Sequence, residues 1–169
     1  GCGGSPTLLS YVHGPCRALP VAWSGVEAQL GLQLPDDYKL FVDFFGAGTL
    51  IDFFHVFTPD ARSSHTDLRL AGESMLAALR DIRESEGLPH PVHPEPQGLL
   101  PWGRDDNGNF LLWRTGASEW SVVIGAARDE KWVEYSMCMT DFLLQVVGGT
   151  ISCPVFPEDL LGSYTFAPY

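Results

Sequence analysis

Apolar residues recur at helical spacing early in the chain, crowd into strand-like runs in its middle, and return to helical spacing near the end. Trp23, Val26 and Leu30 share one face of a helix predicted from Pro20 to about Leu30, and Gly31 suits the left-handed cap that ends it. A second helix is predicted to open at Leu34-Pro35-Asp36-Asp37. Proline lacks only an N–H that the first turn leaves unused, and two carboxylates complement the positive end of the helix dipole. Tyr38, Phe41, Val42 and Phe45 form its apolar stripe, with Gly46 as its stop. Thr49–Phe57, TLIDFFHVF, is β-branched and aromatic with apolar side chains on both faces, and reads as one interior strand. Residues 58–71 read as a loop. Glu73–Glu86 reads as a third helix, with Met75, Leu79 and Ile82 inward and Gly87 behind it. The proline-rich run LPHPVHPEPQG that follows predicts an extended surface connector.

The stretch from Leu99 to Tyr135 organises the rest. Asn107-Gly108 between two apolar runs is a strong hairpin signal. A two-residue type I′ turn there would set Asp106 against Asn109 and Trp102 directly opposite Trp113, a cross-strand aromatic pair. Further breaks at Thr115–Ser118 and Arg128–Lys131 complete a four-stranded antiparallel meander. Thr140 then caps a short helix, Asp141–Val147, and the apolar tail is expected to lie against the body. Consecutive strands with helices before and after, and no βαβ alternation, predict an α+β fold: an antiparallel meander with helices packed against it. Residues 1–17, rich in Gly and Pro, are expected to form an irregular arm, and residues 18–169 a single domain.

Composition changes this picture in two ways. Ten Lys and Arg stand against 21 Asp and Glu, a formal net charge of −11, which disfavours nucleic acid as a partner and favours basic proteins. No apolar run reaches the length of a membrane span, and no segment reads as a signal peptide. Cys2, Cys16, Cys138 and Cys153 lack the spacing of zinc or thioredoxin-type sites. They fit free thiols in a reducing cytoplasm better than a disulfide framework, although an even count leaves a pair open.

Candidate chemistry is sparse. In Asp105-Asp106-Asn107-Gly108-Asn109 the acids and amides alternate as in a calcium loop, yet an EF-hand has Gly sixth and Glu twelfth, between helices. A hairpin turn accounts for it better. His90 and His93 in the connector have no third ligand at matching spacing. His55 stands inside an apolar strand, where a histidine bonded to backbone is the commoner case. No Gly-x-Ser-x-Gly elbow is present, and Gly46-x-Gly48 is too short for a dinucleotide fingerprint. The carboxylate pairs Asp36-Asp37, Asp105-Asp106 and Asp129-Glu130 fall at helix starts and turns. No catalytic group, cofactor or metal is expected on these grounds.

The order of these pieces resembles the SUKH superfamily. Val26-Glu27, Leu30-Gly31-Leu32, Leu34-Pro35-Asp36-Asp37-Tyr38, Phe41 and Phe45-Gly46 are similar to its acidic helix, Leu-Pro-x-x-Tyr helix start and glycine turn. Leu100-Pro101-Trp102-Gly103, Asn107-Gly108, Leu112-Trp113, Glu119-Trp120, Val122-Val123, Trp132-Glu134-Tyr135 and Phe142-Leu143 continue the match, which spans about Pro20 to Gly148. Phe45-Gly46-Ala47-Gly48 departs from it where many relatives carry an Asn-Gly turn. The resemblance implies structural roles for Trp23, Glu27, Gly31, Leu34, Pro35, Tyr38, Gly46, Trp102, Gly108, Trp113 and Trp120. It also implies a binding protein rather than an enzyme: an immunity protein that neutralises a cognate toxin, often a nuclease or a deaminase, in the cytoplasm. Asp105, Asp106, Asp129, Glu130 and Glu134, at or near the meander turns, are the candidate contacts for a basic toxin surface. Two other readings stand beside it: an interaction module of a regulatory complex, and a hydrolase using His55 with nearby acids. A deep pocket joining His55 to carboxylates would favour the last; a buried His55 bonded to backbone would count against it.

Overall fold

A computed structural model describes residues 21–59, 61–116, 119–129, 131–158, 160 and 165–169. The arm expected at residues 1–17, Pro20 and Glu130 lie outside them. Among the described residues four helices, α1 (Trp23–Leu30), α2 (Asp36–Phe45), α3 (Leu68–Ser85) and α4 (Met139–Val147), surround one sheet. Its strands are β1 (Gly48–Leu50), β2 (Phe54–Val56), β3 (Leu99–Asp105), β4 (Phe110–Arg114), β5 (Ser121–Gly125), β6 (Trp132–Tyr135) and β7 (Phe166–Pro168). They are ordered β6-β5-β4-β3-β2-β1-β7 with antiparallel neighbours throughout. The expected α+β fold and the meander β3–β6 are both present.

Strand alternation explains why the apolar runs are nearly continuous. Leu111, Trp113, Val122 and Ile124 face a large core shared with Tyr38, Phe41 and Val42 of α2 and Phe142 and Leu143 of α4. Phe110, Leu112 and Val123 face the other way, onto a smaller core with Leu76 and Leu79 of α3. Both faces of the sheet are thus covered, so both side-chain parities of each central strand are apolar. The connector is less superficial than its prolines suggest. Val92 is buried in the smaller core and forms a parallel bridge with Leu99.

Several expectations needed correction. The segment 49–57 is two strands, because the chain reverses at Ile51 (φ 49°) and Asp52 (φ 54°) and brings Leu50 opposite Phe54. Neither residue is a glycine, so the usual mark of such a turn is missing. The turn after β3 has three residues, not two. Gly108 N–H donates to Asp105 C=O at 3.0 Å, Gly108 takes φ 80°, and Arg104 pairs with Phe110. That is a type I turn with a left-handed glycine bulge. The ladder then shifts again between Pro101 and Gly103, leaving Leu100, not Trp102, opposite Trp113. Helix α3 begins inside the expected loop because Asp67 caps it, accepting from Arg69 N–H at 3.0 Å and Leu70 N–H at 2.9 Å. Helix α4 begins at Met139, so Thr140 sits inside it rather than at its cap. Cys153 is a buried free thiol, but Cys138 is disulfide-bonded, against the expectation of free thiols.

Candidate functional site

The residues of the resemblance meet as scaffold. Trp23, Tyr38, Trp113 and Trp120 pack edge-on in series, at centroid distances of 5.6, 5.1 and 5.5 Å, and join α1, α2 and the sheet. The Trp23 indole N–H donates to Asp43, and Tyr38 donates its hydroxyl proton to the Phe57 carbonyl. Glu27 holds the junction of α1 and α2: it accepts from Leu34 N–H at 2.6 Å and pairs with Lys39 at 3.0 Å. Burial pushes the Glu27 carboxyl up, but the bonds from Lys39 and Leu34 outweigh it and hold the group below the usual range. Gly31 takes the left-handed cap, Pro35 caps α2, Leu34 and Trp102 are core, and Gly46 ends α2.

The acids proposed for partner contact separate into different roles. Asp105 is fully buried. Its carboxylate accepts from Asn107 N–H at 2.9 Å, Asn109 N–H at 3.0 Å and the Asn109 side-chain amide at 2.8 Å. It therefore builds the turn and is not available at a surface. Asp106, next in sequence, points outward with 52% of its side chain exposed. Asp129, 58% exposed, lines the same groove of about 390 Å³ between the hairpin tip and the β5–β6 turn, together with Arg128 and Lys131. Glu134 stands apart on β6, bonded to Arg114 and Ser121. Burial raises its carboxyl, and those two bonds lower it further than burial raises it.

Asp106 also touches a second site that sequence reasoning only half located. His55 on β2 is opposite Arg104 on β3, so both side chains leave the same face of the sheet. His55 Nε2 meets Asp106 Oδ1, and His55 Nδ1 meets the hydroxyl of Tyr169, whose ring stacks on the imidazole at an interplanar angle of 7°. A neutral imidazole satisfies both contacts, donating from Nε2 and accepting at Nδ1. Beside it opens a cavity of about 750 Å³ that Arg62, His65, Arg104, Thr58 and Phe45 help to line. His55 was visible as an oddity within an apolar strand. Arg104 and Tyr169 carried no signal, because strand register and the addition of β7 bring them there.

His90 and His93 do not converge with further ligands. Among the described residues, no group of three His, Cys, Asp or Glu side chains is placed to hold a metal ion. Burial lowers both imidazoles. Among the described residues, no helix is long and apolar enough to cross a membrane.

No curated protein and no solved structure matches this chain. A family model, SUKH_6, described as SMI1-KNR4 cell-wall, matches residues 22–143, from the start of α1 into α4, and so takes in the aromatic series, the Glu27 junction and the whole meander. With nearly three quarters of its length inside that match, the chain belongs to the SUKH_6, SMI1-KNR4 family.

Proposed function

We propose that this domain acts by binding another protein, without catalysis, and that its partner is a toxin with a basic surface, such as a nuclease or a deaminase, which it neutralises by occupying that surface. The observation that supports this reading most is the pair Asp105 and Asp106. A buried carboxylate fixes the turn, and its exposed neighbour is held out at a defined place on a molecule of net charge −11. Preorganised charge of this kind steers encounter and sets register. Asp106 and Asp129 are the contact acids of the hairpin end, with Glu134 a separate contact on β6. Arg128 and Lys131 share the groove, so the attraction comes from the field of the whole chain more than from the groove itself.

Expression of the domain should rescue cells that make the cognate toxin. Charge reversal at both Asp106 and Asp129 should slow association about tenfold or more, with a weaker dependence on salt. A neutralising complex whose association rate ignores both salt and these substitutions would refute the charge argument.

The family description itself favours a second reading, an interaction module of a regulatory complex. A tight partner with no toxic activity would decide for it. The hydrolase reading is weaker: His55 lies near a carboxylate, but both of its ring nitrogens are occupied, leaving no lone pair directed at a substrate. The Cys138 disulfide suits an oxidising compartment better than the cytoplasm expected from cysteine spacing.

A further inference from the structure

Acids outnumber bases two to one in this chain, so its cations should find carboxylate partners easily. Lys39, Arg83, Arg114 and Lys131 do. Arg62, Arg69, Arg80, Arg104 and Arg128 carry no ion pair among the described residues, and of these Arg62 and Arg104 line the cavity beside His55. No carboxylate side chain stands among the cavity's described lining residues, and the His55 and His65 imidazoles stand there beside the two guanidinium groups. Thr58 lines it too. Its hydroxyl is buried and has no hydrogen-bond partner among the described residues. Such a group costs stability wherever nothing bonds to it, unless something else completes it. The remaining wall is largely apolar, with Phe45, Pro168 and the Tyr169 ring.

We propose that this cavity is a binding site for a small organic anion, with Arg62 and Arg104 gripping a carboxylate or phosphate head, Thr58 donating its hydroxyl proton to that head, and the Phe45–Tyr169 wall covering an apolar body. Guanidinium forks match both head groups, since each offers two oxygens in the spacing of paired N–H donors. The cavity volume, about 750 Å³, lies in the range of small-ligand sites. Asp106 is engaged by His55 and lines the other groove rather than this cavity. This proposal is independent of the toxin-binding reading and uses different residues.

Phenyl phosphate, phenylacetate and uncharged benzyl alcohol, titrated into the full chain and followed by calorimetry and amide chemical shifts, test it. At least one anion should bind with 1:1 stoichiometry and shift amides of β2, the start of the 58–66 loop and β7, while benzyl alcohol binds at least tenfold more weakly. The tighter of the two anions identifies the head group. Arg104→Gln and Arg62→Gln, at partly exposed and exposed positions where the fold tolerates change, should each weaken binding about tenfold or more. Thr58→Val should weaken binding several-fold without lowering the melting temperature, because it removes an unbonded hydroxyl. No binding of either anion at millimolar concentration, equal binding of the neutral alcohol, or unchanged affinity in both arginine variants would overturn the proposal.

Discussion

Asp105 and Asp106 are adjacent carboxylates with opposite duties, one buried under three N–H donors and one held out to solvent. Replacing Asp105 by Ala leaves those donors without an acceptor in a buried turn, and unfolding by urea should show a loss of about 2–3 kcal/mol. Asp106→Ala removes an exposed partner of His55 and should change stability by less than about 1 kcal/mol. Asp37 shows the same division in another place. Its carboxylate lies in the first turn of α2 and accepts from the backbone N–H and hydroxyl of Thr140, in the first turn of α4, at 3.2 Å each. Burial raises the Asp37 carboxyl above its usual value of 3.8 despite these bonds. A raised carboxyl contributes stability that is complete below the unfolded value and is lost as pH rises through the folded one. Glu27, held below 4.5, does the reverse and loses its contribution as pH falls. Relative to Asp37→Asn, the wild type should therefore weaken as pH is raised from about 4 toward neutrality. Relative to Glu27→Gln it should weaken as pH is lowered through 4.5. Paired urea titrations across that interval read both signs.

Helix α3 owes its early start to the Asp67 cap, so Asp67→Ala should cost about 1 kcal/mol and fray residues 68–71, visible as faster amide exchange there. The cap was not legible because residues 58–71 are polar and their apolar members sparse. Elements whose boundaries are written in local chemistry were readable: Gly31 after α1, Pro35 and Gly46 around α2, and Asn107-Gly108 between β3 and β4. The division of β1 from β2 was not, since Ile51, a β-branched residue, takes a left-handed conformation it rarely adopts, and Asp52, which tolerates one, stands without a glycine beside it. Register failed for a related reason. One residue of difference in the turn and one in the bulge before Gly103 displaced the Trp102–Trp113 pairing, although both indoles remain on the main core. Of the two sites, only the exposed acid and the odd histidine could be seen in advance. The His55–Tyr169 contact joins residues 114 apart, and no spacing rule reaches that far.

For the molecule as a whole the dominant fact is charge. Self-repulsion at a net of −11 opposes compaction, and added salt screens it. The melting temperature should rise as sodium chloride is raised from about 10 to 150 mM, at constant pH. A fall would mean that the local ion pairs, such as Arg114 with Glu134, outweigh the general repulsion. The edge-on contact of Trp113 with Trp120 supplies an optical counterpart to such measurements. Two indoles this close and inclined at 62° couple their electronic transitions, so the native fold should carry an exciton couplet in its circular dichroism. That couplet would vanish when the α2–sheet core loosens, even where helix content survives. The same packing thereby gives the protein a built-in reporter of its tertiary order, needing no dye or label.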